Sequence, residues 1–309
     1  MPSNSAAWLV AEKTKPLEVG PAPYTSPGEN EIVVKNRAVA INPVDYGLQE
    51  KAFLPLNYPA ILGSDVAGEV VEVGSSVTRF RVGDRVLGQG IFMDSSHSGT
   101  FQEYTVLLAN MSSPIPSTVS FEAAAVIPLC LSTAACGMYQ KGNLELQYPS
   151  LGVASGYEVI TTASPRNFDY VKKLGASQVF DYHSKTIVEE LVEALKGKTI
   201  AGVLDCITID GAVEVCVEVL SRSHGRKFIS TARPTSEDMP GGVKTKWIGF
   251  LNTEVSKIIY EDYLPKALAE GKFVPAPEPV VVGTGLHSIQ DGLEAVSKGV
   301  SAKKVVITL

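Results

Sequence analysis

Basic runs are missing from this sequence: nowhere in its 309 residues do more than two Lys or Arg stand together. With 27 basic against 33 acidic side chains the net charge is −6, and the pI is near 5.4. Nucleic acid is a poor partner for such a chain, because phosphate backbones are bound by a basic face; a local spot for one small phosphate stays open. Long apolar runs are equally scarce. The opening MPSNSAAWLVAEKTK holds no apolar core of signal-peptide length, and no run approaches the roughly 20 apolar residues that cross a bilayer. The closing KKVVITL matches no lipidation signal, so the expected address is cytoplasmic. Cysteine is sparse too. Cys130, Cys136, Cys206 and Cys216 form no C-x-x-C pair and no cluster with His. Buried, reduced thiols are expected, and a zinc site is not.

What is present describes a globular protein: 45% hydrophobic and 19% charged residues, with length for two ordinary domains. The first hundred-odd residues are rich in short β-branched segments punctuated by Gly and Pro. EIVVKNRAVAI, DVAGEVVEVG, GDRVLGQG and FQEYTVLLA read as strands of a compact barrel. The texture changes at Ser120, which is placed to cap an Ala-rich helix with Glu122 in its first turn. Pro128 should divide that stretch into two helices. From Tyr157 strands and helices alternate: YEVITTA, RNFDYVKKLG, SQVFDY, SKTIVEELVEALKGK, IAGVLDCI, DGAVEVCVEVL, GRKFIST. Ser164 is placed to cap the first of these helices, with Pro165 at its first position, and Ile187, Leu191 and Leu195 share one face of the next. This alternation predicts an α/β fold with a doubly wound parallel sheet. VKTKWIGF then reads as a strand, TEVSKIIYEDYLPKALAEGK as a long helix, and the tail as a helix and a final strand.

Seven stretches in order carry a resemblance: INPVDYG, ILGSDVAGEVVEVG, VGDRV, GTFQEYT, AAAVIPLCLSTAA, KLGASQVFDY and the terminal GVSAKKVVITL. Together they resemble the medium-chain dehydrogenase/reductase superfamily over nearly the whole chain. Within it the chain is similar to fungal trans-acting enoyl reductases and ToxD-like proteins, with quinone oxidoreductases as more distant relatives. The resemblance implies a GroES-like barrel over residues 1–119, a Rossmann domain binding NADP over 120–265, and a return to the barrel over 266–309. Zinc-dependent members carry Cys where this chain has Pro43 or Val44, a His-Glu pair where it has Ser64 and Asp65, and a four-Cys lobe that has no counterpart here. A lone Asp65 cannot hold a catalytic zinc. A zinc-independent reductase is expected, with hydride from NADPH carrying the chemistry.

The strand that would face the adenosine ribose ends in TTASPRN, without the acid that NAD-selective folds place there. Ser164, Pro165, Arg166 and Asn167 offer donors and a helix start to a 2′-phosphate, and by resemblance Tyr182 reaches it as well. A capping Ser164 and a solvated Arg166 fit the same residues. Asn42, Pro43, Val44 and Asp45 form INPVD. By resemblance they touch the nicotinamide half, and as bare sequence they make a turn. Ile229, Ser230, Val300 and Ser301 line the cofactor by the same resemblance. In PLCLSTAA, Thr133 offers a hydroxyl among small residues where an acyl substrate and nicotinamide would meet, with Pro128, Leu129, Leu131, Ser132, Ala134 and Ala135 around it. A Thr bonded back to its own helix fits equally. Enoyl reduction also needs a proton after hydride transfer; Tyr46 and Lys51 are candidates by type and loop position. His97, His183, His224 and His287 stand beside no evident partner, and surface or loop roles are expected for them.

One unit is missing. A Rossmann domain begins with a buried strand, a Gly-rich turn and a helix. Between PLCLSTAA and YEVITTA stand only KGNLELQYPSLGVASG, with LGVASG reading as the last turn of that helix. A βαβ unit needs roughly 30 residues or more, so about 25 are absent. A smaller gap is expected between WIGF and NTEVSK. The sequence omits residues of the natural molecule, or a deletion removed them, or another segment replaces the strand; the first two are favoured. The expected activity is reduction of an activated C=C bond, in an enoyl thioester carried by a synthase or in a small enone. A quinone oxidoreductase is one alternative. A non-catalytic member that binds a partner such as a synthase is the other. The superfamily offers both monomers and dimers.

Overall fold

The computed structural model describes residues 2–91, 96–149, 156–208, 211–249 and 253–309. Internal contacts divide the chain into two units, Met1–Leu131 with Ser256–Leu309, and Ser132–Val255. The crossings fall inside helices, after the change of texture at Ser120, because compactness depends on what a helix packs against and composition does not show that.

The first unit opens with β1 (Asn4–Leu9), β2 (Glu18–Ala22) and β3 (Glu31–Ala40), followed by helix α1 (Pro43–Lys51). Then come β4 (Ala60–Ile61), β5 (Asp65–Val73), β6 (Arg85–Gln89), β7 (Tyr104–Leu108), β8 (Ser112–Pro114) and α2 (Phe121–Ala125). β3 is the hub of a sheet and pairs antiparallel with both β5 and β7. Its Ile32, Val33, Val34 and Val39 are all buried, so it is a strand covered on both faces. Gly68 of β5 lets the two backbones close: a Cβ there would stand 2.2 Å from the Lys35 carbonyl. β1 lies between β2 and β4 in a smaller sheet. Ser120 caps α2 by accepting the Ala123 N–H, and Pro128 begins a separate helix, as expected.

That next helix, α3 (Pro128–Tyr139), leads into the second unit. Here β9 (Ile160–Ala163), α4 (Phe168–Lys173), β10 (Gln178–Asp181), α5 (Ile187–Ala194), β11 (Val203–Asp205) and α6 (Ala212–Ser221) follow in turn. β12 (Phe228–Thr231), β13 (Asp238–Met239) and β14 (Val243–Trp247) complete the unit. β9 and β10 are parallel, as are β11, β12 and β14. They form two separate sheets, ordered β10-β9 and β11-β12-β14-β13. In a doubly wound sheet of order 3-2-1-4-5-6, β10 and β9 are strands 3 and 2, and β11, β12 and β14 are strands 4, 5 and 6. The break lies where strand 1 belongs. Among the described residues nothing pairs the free edge of β9 or of β11, so no substitute strand fills the place. The exposed edge is wet: Tyr157 (44% exposed), Val159 (54%) and Ile207 (59%) flank it.

The segment before the break does not form a strand. The Asn143 and Leu144 carbonyls accept from the Arg226 guanidinium, the Ser230 hydroxyl donates to Asn143 Oδ1, and Leu144 is buried. Most of LGVASG and the expected gap after WIGF lie outside the described residues. The chain then returns to the first unit within α7 (Thr253–Lys257), runs through a π-helical turn at Ile258–Tyr263 into α8 (Leu264–Ala269), and ends with β15 (Glu278–Thr284), α9 (Ile289–Ser297) and β16 (Lys303–Thr308). The long helix expected here is continuous from Thr253 to Ala269, with the π-helical turn inside it. β16 pairs parallel with β15 and antiparallel with β3, closing the sheet around the core.

Three sequence expectations need correction. Phe121–Tyr139 is long and apolar enough by composition to cross a membrane, but half of it is buried in the fold and Pro128 divides it, as in a core helix pair. Cys130 and Cys206 are exposed, since one opens a helix and the other ends a strand, while Cys136 is buried and Cys216 half-buried. INPVD is not a loop: Asn42 precedes a helix that begins at Pro43.

Candidate functional site

Four elements of the first unit deliver polar groups to one buried cluster. Asp65 at the start of β5 is fully buried. Its Oδ2 accepts from Lys304 Nζ of β16 at 2.9 Å and from the Asn42 side-chain amide at 2.9 Å. Its Oδ1 accepts the Leu129 N–H in the first turn of α3 at 2.6 Å. Lys304 also donates to Asn42 Oδ1 and lies 3.7 Å from Cys130 Sγ. Asn42 thus points its amide at the carboxylate and its oxygen at the ammonium, and caps nothing with its own side chain. The capping of α1 runs from Asp45, whose Oδ2 accepts the Asn42 N–H at 2.7 Å. Asp45 is fully buried and its Oδ1 has no partner. Burial, with the nearby Asp65 charge adding, pushes its carboxyl up to about 7 against the opposing Asn42 N–H and Lys304. Burial works against the Lys304 charge, but Asp65 leads the groups that outweigh it and hold the ammonium above its ordinary range.

These residues do not fit a metal ion. At Asp65 a fixed ammonium already sits against the carboxylate. Among the described residues no group of three or more His, Cys, Asp or Glu is placed to hold a metal. Lys304 escaped the sequence reading. Its signal is a lysine in a strand buried on both faces, which must be paired to be tolerated.

α3 buries Ser132, Ala135 and Cys136 and leaves Leu129, Cys130, Thr133 and Ala134 wholly or partly open. Of the residues expected around a substrate, Thr133, Leu129, Leu131 and Ala134 are therefore accessible to different degrees, while Pro128, Ser132 and Ala135 face inward. Tyr46 and Lys51 are both on α1. Tyr46 packs against the core, Lys51 is exposed, and five residues on a helix set them about 140° apart. They do not form a pair.

In the second unit the parallel register sets Ala163 beside Asp181, so Ser164 and Tyr182 leave adjacent strand ends together. Their hydroxyls are 2.9 Å apart. Ser164 makes no capping bond; its neighbours Pro165–Asn167 form a 3-10 turn, and the tyrosine takes the hydroxyl instead. Arg166 is exposed. Tyr182 packs against His183 with the rings tilted and their centroids 4.1 Å apart, and His183 Nδ1 lies 3.3 Å from Asp181 Oδ1. The sequence reading missed this His–Asp pair because a turn brings it together. Ile229 and Ser230 lie inside β12, both fully buried, and Ser230 donates to the Gly137 carbonyl at 3.0 Å. They serve the core of the unit. Val300 is exposed and Ser301 half-buried in the lead-in to β16.

Known proteins resemble the chain over nearly its whole length. Residues 28–117 match the alcohol dehydrogenase GroES-like domain. The zinc-binding alcohol dehydrogenase domain-containing protein cipB of Emericella nidulans is 54% identical over 314 positions, covering 99% of this chain and 98% of that protein. The dehydrogenase azaJ of Aspergillus niger is 46% identical over 348 positions spanning both chains in full. The trans-enoyl reductase himH of Aspergillus japonicus is 35% identical, covering 99% of this chain and 97% of that one. Among solved structures, an alcohol dehydrogenase superfamily protein from Novosphingobium aromaticivorans superposes with a TM-score of 0.79 at 20% identity over 99% of each chain. A quinone oxidoreductase from Pseudomonas syringae gives 0.75 at 22%, over 99% of this chain and 100% of that one. The azaJ alignment is 39 positions longer than the 309 residues of this chain, whereas the cipB alignment is almost this chain's own length. The short form is therefore shared with cipB.

Proposed function

Because the chain belongs to the medium-chain dehydrogenase/reductase superfamily, alongside fungal dehydrogenases and trans-enoyl reductases, we propose that it is an NADPH-dependent, zinc-independent reductase of activated C=C bonds. Its substrate class is an enoyl thioester, free or carried by a synthase, or a small enone. The observation that carries the cofactor choice is the joined Ser164–Tyr182 hydroxyl pair beside Arg166, at a strand end that bears no acid. Two hydroxyls and a guanidinium suit a phosphate, whereas a ribose diol is normally held by a carboxylate. Zinc independence is supported by the ammonium of Lys304 lying against Asp65.

When bound, the reduced nicotinamide supplies the hydride for the β-carbon. The residues of this chain position the reactants and deliver the proton. Thr133, on the open side of α3, presents a hydroxyl to the thioester carbonyl. Lys51 and Tyr46 on α1 are the proton sources for the α-carbon, with the exposed Lys51 the freer of the two. Asn42 and Asp45 serve indirectly, from beneath the surface of the barrel. The test is NADPH oxidation with a crotonyl thioester and, separately, with a quinone. A Thr133-sensitive rate with the thioester supports the reading, and turnover of quinone alone makes the chain a quinone reductase. One observation favours a second reading: the second unit has neither strand 1 nor a Gly-rich turn for the pyrophosphate. A non-catalytic member that binds a synthase would show no oxidation with either substrate and no saturable NADPH binding.

A further inference from the structure

We infer that Asp65 is a positioning residue: its carboxylate, fixed by Lys304 and Asn42, pins the first turn of α3 and thereby sets where Thr133 stands. The inference rests on the proposed reductase reading for its kinetic consequence, but not for its structural one.

α3 starts with few bonds of its own. Pro128 has no N–H. The first intrahelical bond runs from the Leu131 N–H to the Ile127 carbonyl at 2.9 Å. The Leu129 amide is one of the donors every helix leaves unpaired at its start. Helices usually satisfy such donors with a neighbouring Ser, Thr, Asn or Asp. Here the acceptor comes from a strand 64 residues earlier in the chain, at 2.6 Å. A charged acceptor at a helix start also meets the positive end of the helix dipole. The carboxylate has no freedom to turn, since Lys304 and Asn42 hold its other oxygen, and these two hold each other. The Tyr260 hydroxyl donates to the Pro128 carbonyl at 2.8 Å, and Arg79 donates to the Tyr260 carbonyl at 3.2 Å, so the turn is gripped from a second side. Thr133 follows Leu129 by one helical turn on the same open side. A rotation of the first turn therefore moves the Thr133 hydroxyl directly. None of this burial is needed for a mere core contact, for which an apolar pair would serve as well.

The test uses the whole protein with Asp65→Asn, and with Asp65→Asn combined with Lys304→Met, which removes both members of the ion pair together and guards against loss of folding. Hydrogen exchange of peptides covering residues 127–133 should accelerate about tenfold or more in the folded variants, while β3 stays protected. In the NADPH-dependent reaction kcat should fall about tenfold with the KM for NADPH unchanged, and Thr133→Ala should add little on top, as expected of residues acting as a unit. Asp65→Glu should recover part of both effects. Unchanged exchange at 127–133 in the double variant overturns the inference, as does a kcat loss fully additive with Thr133→Ala. If the parent protein shows no turnover, the reductase reading fails, and the exchange result alone decides the role of Asp65.

Discussion

At the scale of single residues, the barrel unit is governed by two buried carboxylates sharing one buried ammonium. Asp45 holds a proton near neutrality, pushed up to about 7 chiefly by burial. Its folded pKa lies above its unfolded value near 3.9, so the folded state binds the extra proton. Stability should fall as pH rises between those two values, with a slope of up to about one proton, and then level off. Asp45→Asn should remove that slope. Urea unfolding at pH 5 and pH 8 measures it, and an unchanged slope in the variant would assign the proton to another group. In the second unit, Tyr182→Phe and Arg166→Ala should each weaken NADPH binding about tenfold, the scale of a charge-assisted hydrogen bond. NADH affinity should barely move. Equal losses for both nucleotides in a fluorescence titration would remove the 2′-phosphate role.

Elements were legible where one local rule decides them. The Ser120 cap, the division at Pro128 and the alternation after Tyr157 follow from side chains acting on their own backbone. Ser120→Ala should cost about 1 kcal/mol in urea unfolding, the usual loss for a cap. What escaped sequence reading depends on distant partners. Ser164 looked like a cap, but a tyrosine from the neighbouring strand captures its hydroxyl. INPVD looked like a turn, and it starts a helix because Asp45 reaches back to the Asn42 N–H. Lys304 stands beside exposed Lys303 with nothing local to single it out, and pairing of β16 with β3 carries it inside. The β3–β5 contact is equally invisible in composition. Gly68→Ala would thrust a methyl group into the Lys35 carbonyl, so the variant should lose more than about 2 kcal/mol of stability, read as a lower denaturation midpoint with unchanged slope. A neutral outcome would show that the strands can separate there without penalty.

For the molecule as a whole, the order of motifs gave the superfamily, and the interval before YEVITTA showed which piece is missing. The two parallel sheets part at that place, and the cipB protein has nearly the same length. The intact mass of the natural protein separates the cases: agreement with the 32.9 kDa of this chain rules out omitted residues. A heavier molecule carrying the extra unit would show that the natural form has a complete sheet. With the mass confirmed, the amides of β9 and β11 should exchange much faster than those of β3, because open sheet edges lie at the weak end of a protein's range of local stabilities.

The way the chain is threaded adds a constraint of timing. The second unit is spliced into the first, so the barrel is begun by the first 131 residues and finished by the last 54. Asp65 and Asp45 leave the ribosome early, and among the described residues the ammonium that answers them is carried by the closing strand. Until Lys304 has been made, the acidic pocket cannot close without burying unanswered charge. A nascent chain stalled short of that residue should stay protease-sensitive in the barrel even if the inserted unit has already folded.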